Sequence, residues 1–168
     1  MRIRPCVLPL TLLITIVLAA DAPAMQASPI RDIKSISSAG ARAMADACIK
    51  WAEQNKEIVA MAVLDWGGNV IESHVMEGAQ ANFIDTALLK AKSALRWRRA
   101  TSETYKTVKS GENLAPTLMG DFPQPGALPV FVNGQIIGAM GVSGGNGEKC
   151  AQAGIDAAFK GQATSSPR

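Results

Sequence analysis

Histidine is nearly absent from this 168-residue sequence, His74 being the single example. That excludes a zinc site built on several histidines, and three cysteines, of which only Cys48 and Cys150 lie beyond position 24, cannot complete a four-cysteine one. A serine, histidine and acid triad is disfavoured for the same reason, and Ser143 lacks the G-x-S-x-G context of an exposed nucleophilic serine. The P-loop combination of lysine and hydroxyl is missing as well. Aromatic residues make up 5%, and 17 Lys+Arg stand against 14 Asp+Glu, too small a basic excess for a nucleic-acid binder. After the first twenty residues there is no long apolar run to span a membrane, and no internal repeat is visible.

What is present begins with a targeting pattern. Arg2 and Arg4 precede an apolar stretch from Cys6 to Ala20, and Ala20, Ala22 and Ala24 follow at A-x-A spacing. Residues 1–24 are therefore expected to be a cleavable signal peptide, with cleavage after Ala24 and a periplasmic or secreted mature protein; an uncleaved signal anchor is the alternative. Removing them takes away Arg2, Arg4 and Asp21 and leaves a formal charge of +2. A remainder of roughly 140 residues suits one domain with one core. In an oxidising compartment Cys48 and Cys150 can pair as a disulfide, or remain as two buried thiols.

Periodicity then outlines the elements. Ser37 or Ser38 can cap a helix carrying Ala41, Met44, Ala45, Cys48, Ile49 and Ala52 on one face and ending near Asn55. The apolar run Ile58–Leu64 reads as a central strand covered on both faces, and a Gly67-Gly68 turn leads into a second strand over Val70–Met76. From Asn82 the period becomes helical, with Ile84, Ala87, Leu88, Ala91, Ala94 and Leu95 on one face. A short helix runs from Thr101 or Ser102 toward Lys109. Residues 111–127, rich in Gly and Pro, read as a long loop that closes over something. Asn133-Gly134 marks a type I′ hairpin between strands 128–132 and 135–142. A final amphipathic helix carries Ala151, Ile155, Ala158 and Phe159, and residues 161–168 form a polar tail expected to be disordered. This order predicts an α+β domain over 25–160, an antiparallel sheet flanked by helices.

Several segments together resemble a known family. These are Met76-Glu77-Gly78-Ala79, Leu89-Lys90-Ala91-Lys92-Ser93-Ala94, Thr101, Pro125-Gly126-Ala127-Leu128-Pro129-Val130, and the strand Asn133–Gly145 with its Gly-Ala-x-Gly-Val-Ser-Gly pattern. They are similar to the haem-binding HbpS-like and GlcG-like family. The resemblance implies a profilin-like fold, homo-oligomers, and haem binding in exported members, while some members are lyases on small aromatic hydroxylamines. The chain departs from the family pattern at Glu77, Ala100 and Ala127. It departs also after Ser-Gly-Gly, where Asn146-Gly147-Glu148-Lys149-Cys150 is shorter and carries Lys and Cys in place of the usual acidic residue.

Candidate residues follow. His74 can ligate haem iron or carry protons, or serve a structural role on its strand. Glu77 is a second candidate proton carrier. Lys90, at the family's lysine position, can hold a carboxylate or haem propionate, or cover the core with its stem. Arg99 is a second propionate partner. Thr101 falls at a family position implicated near the iron and is also a plain helix cap. Met119 and Phe122, with Met76 and Met140, offer apolar contacts, and Gly126 and Gly144 allow close approach. Seven of the seventeen basic residues lie between Lys90 and Lys109, either a solvated helix face or the footprint of a small anionic ligand. Three functional readings result: an exported binding protein for haem or a related small anionic ligand; a cofactor-independent lyase or isomerase on a small aromatic or hydroxy acid; and an accessory oligomeric subunit. No nucleic acid, and no membrane span after signal cleavage, is expected.

Overall fold

The computed structural model describes residues 29–166; the expected signal peptide lies outside the described residues. Helix α1 (Ser38–Gln54) starts where Ser37 adopts an extended backbone and its hydroxyl accepts the Gly40 N–H at 3.1 Å. Its buried face is Ala41, Met44, Ala45, Cys48 and Ala52. Strand β1 (Ala60–Asp65) is buried at all positions but the last, as a central strand must be when both faces are covered. Strand β2 (Val70–Val75) returns beside it. In the turn, the Asp65 carboxylate accepts the Asn69 N–H at 2.8 Å. Burial pushes this carboxyl up, but hydrogen bonds from Asn69, Gly67 and Gly68 outweigh it and hold it below its ordinary range.

Helix α2 (Phe83–Trp97) and the short α3 (Thr101–Lys109) come next, then α4 (Ala115–Leu118). Strands β3 (Ala127–Val132) and β4 (Gln135–Ser143) are joined through Asn133 and Gly134, whose φ values of 52° and 74° are those a type I′ turn requires. Helix α5 (Gly147–Phe159) closes the domain. The sheet is antiparallel throughout, in the order β2-β1-β4-β3. Helices α1 and α5 cover one face over a core of Met44, Met61, Val63, Met140, Val142 and Ile155, and α2 covers the other. The class is α+β, as the order of elements predicts, with residues from Asp32 onward forming one compact unit. No helix among the described residues is long and apolar enough to cross a membrane.

Within that core the two cysteine alternatives are decided: Cys48 of α1 and Cys150 of α5 form a disulfide, their Cα atoms 4.7 Å apart. Three other expectations change. The 111–127 segment is not bare loop, since α4 interrupts it and Asp121 is clamped by Trp97 Nε1 at 2.8 Å and by Arg96 at 3.2 Å. The polar tail is tied down as far as Thr164, which exchanges both backbone hydrogen bonds with Phe131 while Ala163 is buried. The cause is the outer edge of β3, whose free N–H and C=O need partners that composition does not reveal. Finally, Gly138 and Gly141 of β4, positions without side chains where a ligand or a neighbouring subunit could approach, are filled from within the domain. A Cβ on Gly141 would strike the Ala87 carbonyl and the Ala91 backbone, and one on Gly138 would strike the Leu64 carbonyl. Their small size lets α2 and the neighbouring chain pack directly on the strand.

Candidate functional site

The helix face that packs α2 onto the sheet also carries Lys90 inward. Only 9% of this residue is exposed, and its ammonium donates to the Val142 carbonyl at 3.3 Å. Burial pulls the lysine below its ordinary range, and Glu148 nearby partly offsets this. The two are not in direct ion-pair contact, both salt bridges among the described residues lying elsewhere.

Glu148, in the first turn of α5, is anchored from three sides. Its Oε1 accepts the Ser102 N–H at 2.8 Å, the Gly126 N–H at 3.4 Å and the Thr101 hydroxyl at 3.4 Å. Thr101 is fully buried, and its oxygen accepts the Ala127 N–H at 2.9 Å. Helix α3 thus begins with Thr101 stitched to β3 and Glu148 capping its first turn, the favourable place for a carboxylate.

Over this cluster lies a cleft of about 330 Å³ lined by Pro125, Gly126, Gly145, Asn146, Gly147 and Glu148. Its floor is two glycines. A Cβ on Gly126 would stand 3.0 Å from Lys90 Nζ, and one on Gly147 would stand 2.9 Å from Gly126 Cα and 2.8 Å from the Val142 carbonyl. Gly126 also has φ +134°, a conformation that residues with side chains rarely adopt. The buried ammonium is therefore separated from the cleft by little more than glycine backbone. At the far lip, Asn146 donates its N–H to Glu57 at 2.7 Å. A larger cleft of about 570 Å³ lies at the Asn133-Gly134 turn and holds none of the candidate residues.

The structure thus brings Lys90, Thr101 and Gly126 together and adds Glu148. The expectation that the start of α5 lacks a useful acid is overturned, because Glu148 points its carboxylate at Thr101 and Gly126. The pattern S/T-x-x-E was no guide here, since the residues Glu148 caps are 46 positions away. Gly144 borders the cluster but is packed against the Ile58 carbonyl and the Phe83 ring. Arg99 lies over the Trp97 ring at 5.8 Å, with its Nε buried and unpartnered. Phe122 is half-buried in the segment clamped by Asp121, and Met119 is 58% exposed on the surface after α4. His74 and Glu77 are exposed and lie outside the cluster. His74 pairs with Met61, whose side chain belongs to the α1 and α5 core, so the two share the sheet face opposite α2. No cluster of three or more His, Cys, Asp or Glu able to hold a metal ion occurs among the described residues.

The chain resembles solved structures over most of its length. Klebsiella pneumoniae protein ORFY is 32% identical, with a TM-score of 0.74 over 81% of this chain and 98% of that one. A double mutant of Streptomyces reticuli HbpS is 28% identical, with a TM-score of 0.69 over 82% and 96%. A PduOC:haem complex is 26% identical, with a TM-score of 0.67 over 73% and 94%. The family profile described as haem degrading protein HbpS-like matches residues 36–156, and the chain belongs to that HbpS-like family.

Proposed function

We propose that this protein binds haem or a related small anionic ligand, taking the ligand's carboxylate at the cleft above Lys90. The observation that carries the reading is the buried Lys90 side chain, whose ammonium has a neutral carbonyl as its hydrogen-bond partner instead of a directly paired carboxylate. A cation held at that cost in water-poor surroundings gains most when an anion arrives. The positive end of the α5 helix dipole favours the same charge. The haem named in the descriptions of the family and of the PduOC complex supports haem as that ligand.

The residues fit the propionate edge of haem: Lys90 supplies charge, and Gly126 and Gly147 allow approach. They do not offer an iron ligand in the same place, because His74 lies outside the cluster and the Thr101 oxygen is engaged with Ala127 and Glu148. Bound haem supplies redox chemistry at its iron; this chain's own part is to hold the acid end and keep water from it. An export signal and a homo-oligomeric state belong to the same proposal.

Titrating the purified protein with haemin tests it. A saturable Soret shift, weakened about tenfold or more by Lys90→Met, is expected, since hydrogen bonds to charged groups contribute about 1.5–3 kcal/mol. An unchanged spectrum at micromolar protein overturns the haem reading. A second reading, a cofactor-independent lyase on a small aromatic or hydroxy acid, is favoured by one observation: Glu148 lines the cleft and its charge acts on Lys90, so that an acid and a base serve one site. It predicts turnover that Glu148→Gln abolishes and His74→Ala leaves intact.

A further inference from the structure

We infer that Lys90 is placed to capture a small carbonyl compound, an aldehyde or a 2-oxo acid, as a covalent imine, with Glu148 exchanging the protons. This goes beyond anion binding and shares with it only the placing of the ligand at the cleft over Lys90; the imine requires in addition that the ligand part the Gly126–Gly147 contact to reach the nitrogen.

Three observations converge. Lys90 Nζ has one hydrogen-bond acceptor, the Val142 carbonyl at 3.3 Å, so a neutral amine that keeps this bond still has its lone pair for attack. Gly126, where an added Cβ would stand 3.0 Å from that nitrogen, also lines the cleft, and neither it nor the adjoining Gly147 carries a side chain. Glu148 is fixed by the Ser102 and Gly126 N–H groups, so its carboxylate is oriented by backbone and not by chance rotamer. Burial adds to the case, because it lowers the lysine's hold on its proton and enlarges the neutral fraction at pH 7 relative to surface lysines.

The step balances without an oxidant or reductant. The amine attacks the carbonyl carbon to form a carbinolamine, and Glu148 takes the proton released from nitrogen. Returned to the hydroxyl, that proton lets water leave as the C=N bond forms. Amine and carbonyl give imine and water. The 330 Å³ cleft suits a molecule of a few carbons whose carboxylate, if present, faces the start of α5.

The test is reductive trapping on the full protein at pH 7, with glyoxylate and cyanoborohydride, followed by peptide mapping. Lys92, exposed on the same helix, and Lys149, exposed beside the cleft, are internal controls. Faster labelling of Lys90 than of either control is expected, because burial lowers its hold on the proton. Labelling of Lys90 no faster than Lys92 and Lys149 overturns the inference. Glu148→Gln, checked by circular dichroism for an intact fold and compared with the parent at alkaline pH, where loss of the Glu148 charge matters least to the neutral fraction of Lys90, should slow labelling at Lys90 and leave Lys92 unchanged; an unaltered Lys90 rate there removes Glu148 from the step. Haemin titration of the same protein separates the two readings. A Soret shift without adduct removes the imine alone, and an adduct without a shift removes haem and keeps the imine.

Discussion

Replacing Lys90 with methionine should make this protein more stable while it loses its ligand. Methionine keeps the length and apolar stem of the side chain and discards the ammonium. The Val142 carbonyl then loses its donor, a cost of about 1 kcal/mol. Against this, a buried cation without a direct counter-ion carries a desolvation penalty of several kcal/mol, and apolar replacements of buried charges are often stabilising by about 1–4 kcal/mol. Loss of the Glu148 attraction and the partial exposure of the charge reduce the gain, and a net stabilisation of about 1 kcal/mol is expected. The pH dependence gives an independent check. Because burial holds the folded lysine below its ordinary range, the unfolded chain binds more protons between the folded and unfolded values. Stability of the parent protein must therefore rise with pH through that alkaline window, and the rise attributable to this group must vanish in Lys90→Met. Urea denaturation followed by circular dichroism at neutral and alkaline pH measures both. A variant destabilised by more than about 2 kcal/mol at neutral pH would refute the reasoning, since Lys90 would then be a structural cation whose interactions exceed the cost of burying it.

Other consequences follow from packing. Reducing the Cys48–Cys150 disulfide, which spans 102 residues, should cost about 2–5 kcal/mol in urea denaturation, and both thiols should alkylate in the unfolded chain only after reduction; labelling of both before reduction excludes the bridge. Gly141→Ala pushes a methyl into the Ala87 and Ala91 backbone of α2, and a loss of about 2–4 kcal/mol is expected in thermal or urea unfolding. Unchanged stability there would mean that α2 does not rest directly on β4. Thr101→Val leaves the Ala127 N–H without its acceptor and should cost about 1–3 kcal/mol, with ligand affinity falling as Glu148 loses a neighbour; a variant as stable as the parent would show that the N–H finds another partner.

What the sequence determines by itself is whatever depends on neighbours along the chain. The Ser37 cap, the period of α2, the fully apolar β1 and the Asn133-Gly134 turn are local, and local geometry leaves few alternatives to them. Thr101, Lys90 and Gly126 could be singled out through family resemblance, but nothing in their spacing says that they meet. Their meeting, the entry of Glu148, the disulfide across α1 and α5, and the filling of the Gly141 surface by α2 were decided only by tertiary structure. Each depends on which chain segments far apart in sequence are pressed together, and that is settled by burying the two faces of one sheet at once. The same packing placed His74 away from Lys90 and Glu148: a strand residue's face is set by its partner, and its partner is Met61.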